Sequence, residues 1–286
     1  MAGRLAARDD AERTHPRSSP ATRTQMIEHI IPPEVACFAS RGDDVSTWLY
    51  PDEAAQMHGA VETRLREFTT ARTCARLAIA QLGLPMAPIL RGAWREPIWP
   101  RGVVGSITHC RGYRAAAVAK QRDILTVGID AEPDEQLPPG ILELVAVERE
   151  RAWLTTARPG VHWDRLLFSA KESVFKAWFP RARDWLGFEQ AVVSFHPTEC
   201  TFEVRLLVPL PAPFGGDPEL LTGRFLVRDG LLLTAIIVSQ SERRSLDSQI
   251  NGGSASLFVQ SWPAQRTTAS SERESSQRQR GHALPA

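Results

Sequence analysis

Apolar residues recur every three to four positions in two long stretches of the chain, which is the spacing of an amphipathic helix. The first stretch, residues 60–82, stops at Gly83, a residue type that commonly ends helices. The second, residues 165–179, is followed by Pro180, so we expect the helix to break there. A third segment, 137–154, has helical potential, and its apolar residues suit a docking surface and ordinary core packing equally well.

Shorter apolar runs bounded by turn residues predict β-strands. Residues 103–107 and 115–119 flank a turn at Arg111-Gly112 and form a predicted hairpin. Further strands are predicted at 124–129, 191–195, 202–208 and 231–238. Because helices and strands follow one another in a mixed order, the pattern predicts an α+β fold.

The predicted hairpin has a similar counterpart later in the chain. Residues 110–112 lead into an apolar strand, 113–118, in the way that residues 227–230 lead into the strand 231–238. This weak repeat suggests an internal duplication without proving one.

The two ends of the chain lack such patterning. Residues 1–25 are rich in Arg, Ala, Ser and Thr, and residues 240–286 are dominated by Ser, Arg and Gln. Such compositions bury too little apolar surface to offset the entropy of ordering, so we predict a disordered N-terminal extension and a disordered C-terminal tail. Met26 opens the first apolar pattern and is an alternative candidate for the start codon.

Composition and charge indicate the cellular location of the protein and the partners it does not bind. A formal net charge of +1 over 286 residues gives no overall bias toward nucleic acid or an anionic membrane. The longest apolar run, 231–238, is too short to span a bilayer, and no export signal is found. Four cysteines lie far apart without a C-x-x-C pair, which favours reduced thiols: Cys37, Cys74, Cys110 and Cys200. We therefore expect a cytoplasmic protein with neither nucleic acid nor membrane as a partner.

Two carboxylates follow a buried strand. Asp130 and Glu132 come directly after residues 124–129, and because side chains alternate along a strand, both leave the same face. Hard oxygen ligands of this kind suit Mg²⁺, which takes one or two carboxylates and completes its shell with water and phosphate oxygens. A solvated turn is the ordinary alternative for such a pair.

The second predicted helix carries Glu172 and Lys176 four residues apart, on one face. A surface salt bridge is the simpler interpretation. The alternative makes Glu172 a third metal ligand or a general base and Lys176 a cation for phosphate, with Lys171 at the rim of the site.

Further basic and polar residues are candidates for contacts to an anion. Arg64 and Arg72 lie two turns apart on the first helix, and Arg91 follows in the next loop, although solvated arginines are common. In the segment Gly105-Ser106-Ile107-Thr108-His109-Cys110, His109 can donate to an anionic oxygen, while a structural role is the usual one for a histidine in a turn. A hydrolytic triad of Ser106, His109 and Asp130 lacks the usual nucleophile motif.

Together these segments resemble the surfactin- and siderophore-type 4′-phosphopantetheinyl transferases. The likeness extends from about Met26 to Ser239, and its motifs are ordered and spaced as in that family. The motifs are Glu96-Pro97-Ile98-Trp99-Pro100, the segment 105–110, Gly128-Ile129-Asp130-Ala131-Glu132-Pro133 and the segment 168–178, which reads Phe-Ser-Ala-Lys-Glu-Ser-Val-Phe-Lys-Ala-Trp.

The resemblance implies a monomer of two similar α+β halves, residues 26–125 and 126–239, related by a pseudo-twofold axis with coenzyme A bound in the cleft between them. It implies that Mg²⁺, or Mn²⁺ as a substitute, is held by Asp130, Glu132 and Glu172. It also implies that the coenzyme A contacts come from Arg64, Arg72, Arg91, Ser106, His109, Lys171 and Lys176.

The implied reaction joins two substrates. A serine of an acyl or peptidyl carrier protein attacks the β-phosphate of coenzyme A, and adenosine 3′,5′-bisphosphate leaves. Asp130, Glu172 and Lys176 are the implied catalytic residues, with Glu172 or a metal-bound water as the base. A noncatalytic coenzyme A or carrier-protein binder is the alternative, and the sequence leaves open which carriers and which pathway are served.

Overall fold

The computed structural model describes residues 26–43, 47–208 and 220–240. The predicted disordered extension, 1–25, and all of the predicted tail except Gln240 lie outside the described residues, so both remain predictions. None of the helices in the described part of the chain is long and apolar enough to cross a membrane. The four cysteines all lie in described segments, and no disulfide joins them.

Five α-helices and two 3₁₀ turns are present in the described residues. The helices are α1 (Pro51–Ala55), α2 (Glu62–Gln81), α3 (Ile141–Val145), α4 (Glu148–Leu154) and α5 (Trp163–Ala182), and the turns are Ile27–His29 and Phe188–Gln190. The strands are β1 (Ala36–Ser40), β2 (Leu90–Arg91), β3 (Pro97–Ile98), β4 (Val103–Cys110), β5 (Tyr113–Lys120), β6 (Ile124–Pro133), β7 (Ala191–His196), β8 (Thr201–Leu206), β9 (Leu220–Arg228) and β10 (Leu231–Ser239).

Both long predicted helices are confirmed, as α2 and α5. The prediction that Pro180 breaks the second helix is wrong, because Pro180 lies inside α5. A proline near a helix end removes only one hydrogen bond, and the helix ends instead at Arg183, which adopts the left-handed conformation and donates its backbone N–H to Phe179.

The segment 137–154 forms two short helices, α3 and α4. Within α3, Val145 is buried, whereas Leu144 remains 72% exposed. The segment therefore contributes both to the core and to the apolar surface, in line with the two interpretations that the sequence left open.

All predicted strands are found, with β6 extending to Pro133 so that Asp130 and Glu132 lie within the strand. The sequence analysis missed β1, β2, β3 and β9. In β9, a glycine interrupts the apolar alternation at a buried position, because a Cβ on Gly223 would lie 2.1 Å from the ring of Phe202. Tight packing there removes the apolar side chain that would have signalled a strand.

The strands form two larger antiparallel sheets. The first has the order β1-β5-β4 and the second β6-β10-β9-β8-β7, while β2 and β3 pair separately. In both larger sheets the first strand leads to the long helix, and a later hairpin returns beside that strand: β1, α2, β4–β5 and β6, α5, β9–β10. The α+β class is confirmed, the predicted boundary at 125/126 falls inside β6, and the pseudo-twofold axis stays a prediction.

The elements stack in four layers: α2, the first sheet, the second sheet and α5. Strand β5 shows why, since its side chains alternate between two cores. Ala116 and Val118 pack toward α2, whereas Ala115, Ala117 and Ala119 pack toward the second sheet. Small alanine side chains let the two sheets approach closely.

Two features join the layers around Asp130. Backbone N–H groups of Ile129 and Ala131 donate to the hydroxyls of Ser106 (3.1 Å) and Thr108 (2.9 Å), so that β4 is tied to β6 through side chains. A Cβ on Gly128 would lie 2.0 Å from the Ser173 carbonyl oxygen of α5. Gly128 therefore allows the helix that carries Glu172 and Lys176 to lie directly on the strand that carries Asp130.

Candidate functional site

Asp130 lies at the centre of the site, on β6. Its Oδ1 accepts hydrogen bonds from Lys176 Nζ at 2.6 Å and from Thr108 Oγ1 at 3.1 Å. Its Oδ2 is buried and has no hydrogen-bond partner among the residues that the structure describes. A buried, charged oxygen without a partner is costly, so the site has capacity for one more positive or hydrogen-bonding group.

Two further carboxylates, Glu132 and Glu172, lie close enough to Asp130 for its charge to raise their pKa values. Burial, and then the charge of Asp130, raise the pKa of Glu132 to about 7, although Arg165 lies 3.0 Å from its Oε2 and opposes the rise. Burial raises the pKa of Glu172 as well; there Lys176 opposes the rise and Asp130 reinforces it. Mutual repulsion of this kind indicates a site that stabilises added positive charge.

Lys176 supplies that positive charge in this structure. Burial lowers its pKa, but Asp130 and Glu172 outweigh burial and raise the pKa above its usual value. The ammonium group is therefore firmly charged. The predicted pair of Glu172 and Lys176 on one helical face lies at the site, and the preferred partner of the lysine is Asp130.

These residues suit a hard cation in chemistry but do not form a ready-made cage. Within the described segments, no three carboxylate, histidine or cysteine side chains are arranged to hold a metal ion. The unpartnered oxygen of Asp130 and the repelling carboxylates Glu132 and Glu172 still match the ligands that Mg²⁺ takes when substrate oxygens complete its shell. The donor set therefore fits such an ion.

A cluster of cationic side chains adjoins this acidic site. Arg64 Nη1 lies 2.9 Å from His109 Nε2 and donates to it. Burial, followed by Arg64 and Lys176, lowers the pKa of His109 to about 3, so the ring is neutral and carries its proton on Nδ1. Glu67 Oε2 lies 3.8 Å from that nitrogen. His109 thus accepts from Arg64 here, where the sequence analysis expected a donor to an anion.

Arg72 and Arg91 complete the cluster. The guanidinium carbons lie 4.3 Å and 5.5 Å from the centre of the Phe68 ring, Arg72 being the nearer. Burial, with Arg91 and Arg64 nearby, lowers the pKa of Arg72 to about 10, while its Nε donates to the Ile89 carbonyl at 2.7 Å. Several arginines held together at the expense of mutual repulsion form a strong site for a polyanion.

Two predicted ligands lie elsewhere. Lys171 is buried on another side of α5, where Nζ donates to Glu150 Oε2 at 2.7 Å and to two backbone carbonyls. Ser106 is 3% exposed and accepts from the Ile129 backbone. The triad of Ser106, His109 and Asp130 is not formed, because Arg64 contacts His109 while Lys176 and Thr108 contact Asp130.

Three residues of the site were missed by the sequence analysis: Glu67, Thr108 and Arg165. Each had a spacing signal. Thr108 lies two residues after Ser106 on the same strand face, and Arg165 lies two helical turns before Glu172. Glu67 is three residues from Arg64 on α2, and the two side chains pair at 3.5 Å.

Comparison with known proteins places this geometry in a family. Residues 52–119 match the family model described as "4'-phosphopantetheinyl transferase N-terminal domain", and residues 126–208 match "4'-phosphopantetheinyl transferase superfamily". The chain is 50% identical over 205 residues to 4'-phosphopantetheinyl transferase Svp of Streptomyces mobaraensis, covering 71% of this chain and 83% of the relative.

Two other relatives differ in their sequence identity to this chain and in how much of it they cover. 4'-Phosphopantetheinyl transferase Npt of Nocardia iowensis is 47% identical over 221 residues, covering 74% of this chain and 99% of the relative. Enterobactin synthase component D of Salmonella typhi is 30% identical over 145 residues, covering 49% of this chain and 58% of the relative. The chain therefore belongs to the 4'-phosphopantetheinyl transferase superfamily and is an enzyme of this transferase type.

Proposed function

We propose that this enzyme moves the 4′-phosphopantetheine group of coenzyme A to a serine of an apo acyl or peptidyl carrier protein. One observation carries the proposal: the arginine cluster around His109 adjoins the carboxylates around Asp130, with Lys176 close to both groups. A donor that bears several phosphates needs the cations, and a hard cation bound to its pyrophosphate needs the carboxylates.

The residues divide into two sets. Arg64, Arg72 and Arg91 bind phosphate oxygens of coenzyme A, which compete with His109 and Glu67 for Arg64. Asp130, Glu132 and Glu172 would hold Mg²⁺, with Mn²⁺ as a substitute. When bound, the ion would neutralise negative charge on the pyrophosphate oxygens.

The chain's own residues account for the proton and the developing charge. The carrier serine oxygen bonds to the β-phosphorus while the bond from that phosphorus to the bridging oxygen breaks, and adenosine 3′,5′-bisphosphate leaves with the electron pair. Glu172 takes the serine proton, directly or through a water, and its raised pKa makes it a stronger base than an exposed carboxylate. Lys176 donates to the oxygens on which charge grows.

The sequence supports a proposal for the location and partners of the enzyme. We propose a cytoplasmic monomer whose partners are carrier proteins and coenzyme A, with no nucleic acid or membrane partner. Carrier proteins of this kind are acidic where they dock, so a basic and apolar surface is required near the cleft. The exposed Leu144 of α3 offers part of such a surface.

Intact mass spectrometry of an apo carrier protein tests the proposal. The complete reaction contains this protein, coenzyme A and Mg²⁺, and matched reactions contain a chelator or Glu172→Ala. We expect the carrier to gain the mass of one phosphopantetheine only in the complete reaction. Several unrelated carriers that bind but stay unmodified would favour the noncatalytic binder instead.

A further inference from the structure

Gln56, the residue that follows α1, directs its whole side-chain amide at Arg91. Its Oε1 accepts from the Arg91 backbone N–H at 2.8 Å, and its Nε2 donates to the Arg91 carbonyl at 3.1 Å. The Arg91 guanidinium also donates to the backbone carbonyl of Gln56. One residue thus holds both the backbone and the charged end of Arg91.

A neighbouring contact holds the same extended segment two residues earlier. Glu53 Oε1 accepts from the Ile89 backbone N–H at 2.8 Å, and the Ile89 carbonyl accepts from Arg72. Glu53 and Gln56 lie one helical turn apart and meet alternate residues of the extended segment. Glu53 is fully buried against Arg76, however, whereas Gln56 is partly exposed and, among the described residues, its side chain bonds only to Arg91.

Arg91 needs such a restraint. It lies in a two-residue strand, and no carboxylate pairs with it among the described residues. Burial lowers the pKa of Arg91, and the nearby charges of Arg64 and Arg95 lower it further, so repulsion favours a rotamer that points away from the cluster. The Gln56 amide pairs with both backbone groups of Arg91, and it leaves the guanidinium charge available to an anion.

We propose that Gln56 is a positioning residue, which holds Arg91 within the cation cluster and thereby sets the affinity for the phosphate-bearing donor. The inference rests on the proposed function, in which Arg91 binds donor phosphate. Because Gln56 acts through Arg91, its contribution disappears when the Arg91 side chain is absent.

A double-mutant cycle on the full-length protein tests this coupling, with adenosine 3′,5′-bisphosphate as the calorimetric probe. The variants are Gln56→Met, which keeps the size of the side chain, Arg91→Ala and the double variant. We expect Arg91→Ala to weaken binding about tenfold and Gln56→Met about fivefold, the scale of one charge-assisted hydrogen bond. The double variant should bind like Arg91→Ala alone.

Catalysis provides a second measurement. Gln56→Met should raise KM for coenzyme A while kcat at saturation stays within about twofold of wild type, as expected when only ground-state binding is lost. The matched control is Gln81→Ala, which removes another glutamine bond to a backbone carbonyl, that of Cys37 at 3.0 Å, away from the cluster. This control should leave KM unchanged.

Each outcome has a separate meaning. Additive losses in the double variant would show that Gln56 acts through general stability, and would overturn the inference. Normal binding by Gln56→Met beside weakened binding by Arg91→Ala would also overturn it, while leaving the proposed function intact. Failure of wild type to modify any carrier in the mass assay would instead count against the proposed function.

Discussion

Two lysine–carboxylate pairs on α5 differ in how completely their polar atoms are used. Lys171 donates hydrogen bonds to Glu150 and to the carbonyls of Val145 and Phe188, and both oxygens of Glu150 accept hydrogen bonds. Lys176 instead donates to Asp130, whose second oxygen has no hydrogen-bond partner in the described part of the chain. A pair whose polar atoms all have partners has no capacity for a ligand, whereas a pair with an unpartnered oxygen does. We therefore assign a structural role to Lys171 and Glu150 and a functional role to Lys176 and Asp130.

The largest effect is expected at the pair of Lys176 and Asp130. Asp130→Ala should lower kcat/KM by about a thousandfold, about 4 kcal/mol in the barrier, because it removes a cation ligand and the partner of Lys176. Carrier modification followed by mass spectrometry measures the loss, and circular dichroism should show an intact fold. Near-normal turnover would remove Asp130 from the site.

Replacing each of the two lysines by methionine should separate an effect on stability from an effect on activity. Lys171→Met leaves the buried Glu150 carboxylate without its cationic partner, which should cost about 3–5 kcal/mol of unfolding free energy in a urea titration, with near-normal turnover by the protein that remains folded. Lys176→Met should cost less than Lys171→Met, because the Lys176 side chain is 27% exposed and water can reach the place it leaves beside Asp130, yet it should abolish most activity. The same ranking of both variants in both assays would refute the distinction.

Periodicity could have separated these lysines. Five residues on an α-helix correspond to a turn of about 140° beyond a full circle, so Lys171 and Lys176 cannot share a face. The helical period grouped Glu172 with Lys176, and the two-residue period of a strand grouped Asp130 with Glu132. The identity of Lys171's partner was not predictable, because Glu150 reaches it only through the packing of α4 against the core.

Tertiary contacts also explain what the sequence missed around the cations. The arginines were identifiable by residue type, but their mutual placement depends on Ile89 and Gln56, which carry no charge and no motif. Similarly, the close approach at Gly128 depends on a distant partner, the backbone of α5. Local sequence patterns predicted the helices and strands and the face on which each residue lies. Which faces pack against each other became known only from the folded structure.

A smaller effect is expected at Thr108, which orients Asp130 from β4. Thr108→Val keeps the shape but removes the hydroxyl that donates to Asp130 and accepts from the Ala131 backbone. We expect kcat to fall about tenfold, the scale of one lost hydrogen bond to a charged group. Thr108→Ser should restore most of the rate in the same assay, and a serine variant as slow as the valine variant would argue for packing instead.

The smallest effect should come from Glu67, the acid within the cation cluster. It lies 3.5 Å from Arg64 and Arg114, distances typical of weak pairs, and repels an incoming anion. Glu67→Gln should therefore tighten calorimetric binding of adenosine 3′,5′-bisphosphate about threefold. Asp43→Asn is the matched control, because Asp43 pairs with the same Arg114 at 3.3 Å. Weaker binding by Glu67→Gln, with Asp43→Asn unchanged, would mean that Glu67 organises Arg64 for the ligand and does not compete with it.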